Sequence, residues 1–114
     1  MKKIIGIGRS LWDFIKTGEA LLLDDNISHS VEHCRGKILI THIPSPDIVL
    51  YMREALAIVA ETGGILCHAA VLALELGCPI IVAAEGVKSK ISNGEKIILE
   101  SLSGEGRIYA KESI

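Results

Sequence analysis

Hydrophobic positions along the chain fall into short runs bounded by glycine, proline or charged residues, a pattern of strands more than of long helices. "KKIIGIG" (2–8) predicts a strand closed by glycine, and "GEALLLDD" (18–25) a second strand ending in a turn. "GKILITHIP" (36–44) alternates, is β-branched and is stopped by Pro44 and Pro46, which predicts a third strand. Ser45, Pro46 and Asp47 form a helix start with proline in the first turn. Ile48, Tyr51/Met52 and Ala55 then recur at helical spacing, so a short helix is predicted over 47–55. "ALAIVAE" (55–61) is a continuous apolar run, as in a strand buried on both faces. After the break at Gly63-Gly64, residues 68–76 carry Ala, Leu and Glu with Val71 the sole β-branched residue; Gly77 and Pro79 end the run, which predicts a helix. "PIIVAAE" (79–85) predicts another buried strand. "SNGEKIILE" (92–100) predicts a turn and a strand, and "SGEGRIYA" (103–110) a tight turn and a last strand.

The order is several strands, a helix, a β-loop-α-β unit and a hairpin, which places the chain in the α/β class. Apolar strands flanking a helix predict a parallel pair joined by that helix. The remaining strands are expected to form a meander packed as a second sheet layer.

Composition narrows the function classes. The chain has 114 residues without a Gly/Ser/Pro-rich linker, so residues 1–114 are expected to be a single domain. A net charge of -2 argues against nucleic acid as a partner. Hydrophobic residues make up 49% and charged residues 23%, which excludes a disordered chain. Domains this small bury only about 60–70% of their unfolded surface, so apolar surface is expected to remain for a partner or a homo-oligomer. No apolar run reaches the roughly 18 residues a membrane helix needs. Glycines and Arg9 interrupt the basic N-terminus too early for a signal peptide, so no membrane association and a cytoplasmic location are expected. Cys34, Cys67 and Cys78 are odd in number and lack framework spacing, which predicts free thiols.

The chemistry concentrates at Cys67-His68. His68 falls where a glycine loop meets a helix. The glycines let backbone N–H groups turn toward a ligand, and the first helical turn adds unpaired donors and a partial positive charge. That field favours a neutral, nucleophilic imidazole. A phosphoryl group accepted there becomes an anion where backbone donors can hold one. His68 is therefore the candidate catalytic residue, with Gly63, Gly64, Cys67 and Ala69 as candidate phosphate-binding positions.

"GGILCHAAVLALELGCPIIV" resembles the phosphohistidine segment of the phosphoenolpyruvate-utilising enzymes. Gly63, Gly64, His68, Ala69, Ala70, Val71, Ala73, Gly77, Pro79 and Val82 match the pattern G-G-x-T-S-H-A-A-[IV]-x-A-R-x-x-G-x-P-x-[IV]-V. "GKILITHIPSPD", "ALAIVAETGG", "SNGEKIIL" and "SGEGRIY" resemble further family segments, so almost the whole chain is covered. The resemblance implies a swivelling β/β/α domain whose β-loop-α-β unit carries the histidine. It implies a carrier that moves a phosphoryl group between a nucleotide site and a phosphoenolpyruvate/pyruvate site. Both sites are expected on separately encoded partner proteins, which would bind magnesium and ATP or phosphoenolpyruvate; no cofactor or metal is expected on this domain. The chain departs from the pattern at Leu66 (usually Thr), Cys67 (usually Ser) and Leu74 (usually Arg), losing a hydroxyl and a cation that could reach phosphate.

Two other classes compete. One is a non-catalytic binding or regulatory module on the same fold, which the three departures favour. The other is a metal- or redox-responsive protein using Cys67 with His68, or His29, His33 and Cys34 of "HSVEHC", a segment that otherwise reads as a solvated face. Arg9 and Ser10 are weaker contact candidates, and Trp12 and Phe14 are expected in the core.

Overall fold

The structure is a computed structural model that describes residues 2–23, 31–44 and 46–111. The strands are β1 (Lys2–Arg9), β2 (Phe14–Leu22), β3 (Ile38–Thr41), β4 (Ala57–Ala60), β5 (Ile80–Ile81), β6 (Lys96–Leu102) and β7 (Glu105–Lys111). They form one seven-stranded sheet in the order β1-β7-β6-β2-β3-β4-β5. The helices are α1 (Val31–Cys34) and α2 (His68–Leu76), with 3₁₀ turns at Pro46–Leu50 and Val87–Lys90.

β2 joins two kinds of sheet. From Phe14 to Glu19 it pairs antiparallel with β6, and from Ala20 to Leu22 it pairs parallel with β3. The parallel series continues through β4 to β5, with α2 making the crossover between these two. The sheet then closes on itself. The Arg9 N–H donates to the Val82 carbonyl at 2.7 Å, and the Val82 N–H donates back to Arg9 at 2.8 Å. Closure demands residues without side chains. A Cβ on Gly8 would lie 2.4 Å from the Val82 carbonyl oxygen, and one on Gly106 would lie 2.6 Å from Ile81.

The parallel strands are buried on both faces, and their alternation sorts side chains into two clusters. Ile38, Ile40, Ala57, Val59 and Ile81 meet Ile97, Leu99 and Ile108 inside the curled sheet. Leu39, Ile58, Ala60 and Ile80 meet Ile48, Met52, Ala69, Ala70 and Ala73 beneath the helical layer. The layering is thus antiparallel β, parallel β and α, the β/β/α arrangement expected.

Four expectations change. The strands do not divide into a parallel pair and a separate meander sheet, because β2 starts at Phe14 instead of Gly18 and spans both halves. The helix expected over 47–55 is a 3₁₀ turn ending at Leu50. Tyr51 and Met52 N–H groups bond three residues back, to Ile48 and Val49, and burying Ile48 and Met52 together sets the path. The strand expected over 79–85 stops at Ile81, because Val82 pairs with Arg9 and Ala83 turns left-handed at φ 58°. "VEHC" is helical, with Cys34 buried against the core and His33 exposed. His29 and the Asp24-Asp25 end of the second expected strand lie outside the described residues.

Candidate functional site

β4 delivers the chain from the buried sheet into the loop that carries His68. Gly63 adopts φ 104°, a conformation L side chains rarely take, and a Cβ there would come 3.3 Å from Cys67 Sγ. Gly64 has open space where a side chain would stand. Its carbonyl accepts the Cys67 N–H at 3.0 Å, which turns the chain into the helix. Cys67 is the N-cap, extended at φ -66° and ψ 157°; its carbonyl accepts the Val71 N–H at 3.1 Å while its thiol makes no capping bond. At the far end Gly77 is left-handed at φ 71°, and Gly77 and Cys78 donate back to Leu74 and Ala73. The stop expected at Gly77 is where the helix ends.

The helix start is chemically open. The N–H groups of His68, Ala69 and Ala70 have no backbone acceptor among the described residues, so three donors and the positive end of the helix face outward. His68 is exposed, and its ring has no hydrogen bond or ion pair among the described residues. The seat is rigid because Ala69, Ala70 and Ala73 bury their small side chains against the sheet. The five candidate positions, Gly63, Gly64, Cys67, His68 and Ala69, thus share one loop-helix junction. The departures are visible here: Leu66 is 84% exposed on the loop and Leu74 52% exposed on α2, so both present apolar surface to solvent.

Other candidates fall elsewhere. Arg9 contributes its backbone to sheet closure. Ser10 is buried with its hydroxyl against that of Ser101, so neither residue joins the site. Trp12 and Phe14 stack obliquely with centroids 6.0 Å apart and are half-buried, Phe14 packing against the core inside the curled sheet. All three cysteines are free. Burial pushes the Cys78 thiol up to about 11 and raises that of Cys34, so both are held as neutral thiols. No cluster of three or more His, Cys, Asp or Glu able to hold a metal occurs among the described residues.

Sequence reasoning missed a second polar group. His42 Nδ1 lies 2.9 Å from Glu61 Oε1, and Glu61 Oε2 accepts the Lys88 N–H at 3.0 Å. Burial pushes the Glu61 carboxyl up, but the bonds from Lys88 and His42 and the charges of both outweigh it and hold the carboxyl below the usual glutamate range. The signal lies in the register: Thr41 sits opposite Ala60 in a parallel pair, so the polar residues that follow each apolar run emerge side by side.

Residues 34–104 match the model of the PEP-utilising enzyme, mobile domain, family. The chain belongs to that family. It is 38% identical over 108 residues to a phosphoenolpyruvate synthase of Aquifex aeolicus, covering 94% of this chain and 12% of that protein. It is 34% identical over 110 residues to the phosphoenolpyruvate synthase of Escherichia coli, covering 96% and 14%. The mobile domain thus spans only about an eighth of these relatives. An Enzyme I solution structure superposes with a TM-score of 0.54 at 25% identity, covering 65% of this chain and 31% of that one. A Thermococcus kodakaraensis aconitase X crystal structure superposes with a TM-score of 0.61 at 20% identity, covering 89% and 95%, and shares the fold. No helix among the described residues is long and apolar enough to cross a membrane.

Proposed function

We propose that this mobile domain is a phosphoryl carrier. A ring nitrogen of His68 attacks the phosphorus of a donor in line, the bond from phosphorus to the donor oxygen breaks, and the leaving group departs with its electron pair. The second acceptor repeats the displacement and regenerates the imidazole. The donor and acceptor sites, one for a nucleotide and one for phosphoenolpyruvate or pyruvate, belong to partner proteins that also supply magnesium. Gly63, Gly64, Cys67 and Ala69 shape the pocket of backbone donors around the transferred group.

One observation carries this reading: an exposed imidazole, unpartnered among the described residues, stands on an anchored helix start with three backbone donors that find no backbone acceptor there. An anion there gains about 0.3–1 kcal/mol from the helix terminus, and up to about 2 kcal/mol when partly buried. The carboxylate beside His42 acts the other way. At an effective dielectric of about 20, two like charges 4 Å apart repel by about 4 kcal/mol. This electrostatic contrast supports His68 over His42 as the acceptor.

Labelled phosphoenolpyruvate or ATP, added with lysate from the source organism, should leave acid-labile, base-stable label on the chain. His68→Ala should abolish it; no label on the native chain, or label surviving in the variant, would sink the carrier reading. A non-catalytic docking module is the alternative, favoured by the exposed Leu66 on the loop and Val71 and Leu74 on α2.

A further inference from the structure

The loop bearing His68 is anchored at its start by groups that take no part in phosphoryl transfer. The Glu61 N–H donates to the Thr41 carbonyl at 2.9 Å. The Thr62 N–H and Oγ1–H both donate to the His42 carbonyl, each at 3.1 Å. The Glu61 carboxylate then bridges the His42 ring and the Lys88 amide. The exits of β3 and β4 and the turn after β5 are thus tied together two residues before Gly63. Glu61 is 11% exposed, whereas the His42 ring is 54% exposed, so a fixed carboxylate holds a ring that solvent reaches. Beyond Thr62 the chain loses this support, since Gly63 and Gly64 have no side chains to pack, and the next backbone bond closes only at Cys67.

We infer that Glu61 and His42 are positioning residues for His68: their pair holds the entry of the glycine loop, and a proton on His42 tightens the hold. Among the described residues, the charged groups facing the pair are Lys88, whose Nζ donates to the Leu23 carbonyl at 2.6 Å, and Glu85, which lines the same shallow cavity of about 380 Å³ with Ala83 and Gly86. Protonation of the His42 ring turns its 2.9 Å hydrogen bond to Glu61 into an ion pair. The role assigned to His68 rests on the carrier reading; the hold on the loop does not.

The test uses the full chain, and two readouts separate these claims. The first is amide hydrogen exchange by NMR at pH about 5.5 and 7.5, either side of ordinary imidazole titration. In Glu61→Gln the amides of residues 62–67 should exchange at least ~10-fold faster while those of β6 and β7 stay within ~2-fold. After correction for intrinsic rates, native Thr62 and Gly63 should be better protected at the lower pH, and His42→Ala should erase that difference. The second is the rate at which His68 is phosphorylated by phosphoramidate, a donor that needs no partner protein. It should fall roughly 3–10-fold in Glu61→Gln, as for a displaced reacting group, and stay unchanged in Arg35→Ala, which breaks a surface pair elsewhere. Unchanged loop protection, uniform loosening of all amides or an unaltered phosphorylation rate in Glu61→Gln would overturn the inference. Loop loosening without any phosphorylation of His68 would instead count against the carrier reading.

Discussion

His42 and His68 are both exposed imidazoles, one just after β3 and one at the start of α2 after β4, yet their surroundings are opposite. His42 has a largely shielded, ionised carboxylate 2.9 Å from Nδ1. His68 has backbone donors and a helix terminus, and no side-chain partner among the described residues. The carboxylate satisfies a proton-bearing ring and repels an incoming anion. The helix start does the reverse. On the proposed carrier reading, the field around the ring, and not the exposure that the two histidines share, sets which of them accepts a phosphoryl group.

The strongest way to break the comparison is to give His68 what His42 has. Cys67→Asp places a carboxylate at the N-cap, where it would occupy the free amides. Helix capping should raise thermal stability by about 0.5–2 kcal/mol. Phosphorylation of His68 should fall by about 100-fold or more, since repulsion of about 4 kcal/mol at 4 Å exceeds any terminus gain. A variant both more stable and equally reactive would refute the electrostatic account. Gly63→Ala tests the loop: a side chain at φ 104° that also presses on Cys67 Sγ should cost about 1–3 kcal/mol in urea unfolding. Unchanged stability would mean that the loop geometry is not required. The smallest effect concerns Glu61. Its folded-state carboxyl is depressed, so its contribution is full above the ordinary glutamate range, about 4.3, and is lost as pH falls below it through the folded-state value. Glu61→Gln should flatten that acid limb of the stability-pH curve, and an unaltered limb would mean that the pair carries no net linkage.

How much was legible follows from how local each determinant is. α2 runs from His68 to Leu76 as expected because its signals, the glycine pair before it and Gly77 and Pro79 after it, lie within a few residues. β1, β4 and β7 were legible from apolar runs and turn glycines. β2's early start, the truncation of β5 and the closure of the sheet were not, because each depends on pairing with a strand distant in sequence, as Arg9 with Val82. The site divides the same way. His68, Gly63 and Cys67 sit on one short segment and announce themselves. His42 and Glu61 meet only through the β3–β4 register, and periodicity within either strand carries no trace of the other. The 47–55 segment failed for a further reason: helical spacing of Ile48, Tyr51/Met52 and Ala55 is also met by a 3₁₀ turn followed by an irregular return.

The most direct measurement is where the label goes. The native chain, His42→Ala and His68→Ala would each be incubated with labelled phosphoenolpyruvate or ATP and source lysate, then mapped by peptide mass spectrometry under alkaline conditions. The account predicts label on the His68 peptide in the native chain and in His42→Ala, and none in His68→Ala. Label on the His42 peptide, or any acid-labile label in His68→Ala, would contradict it.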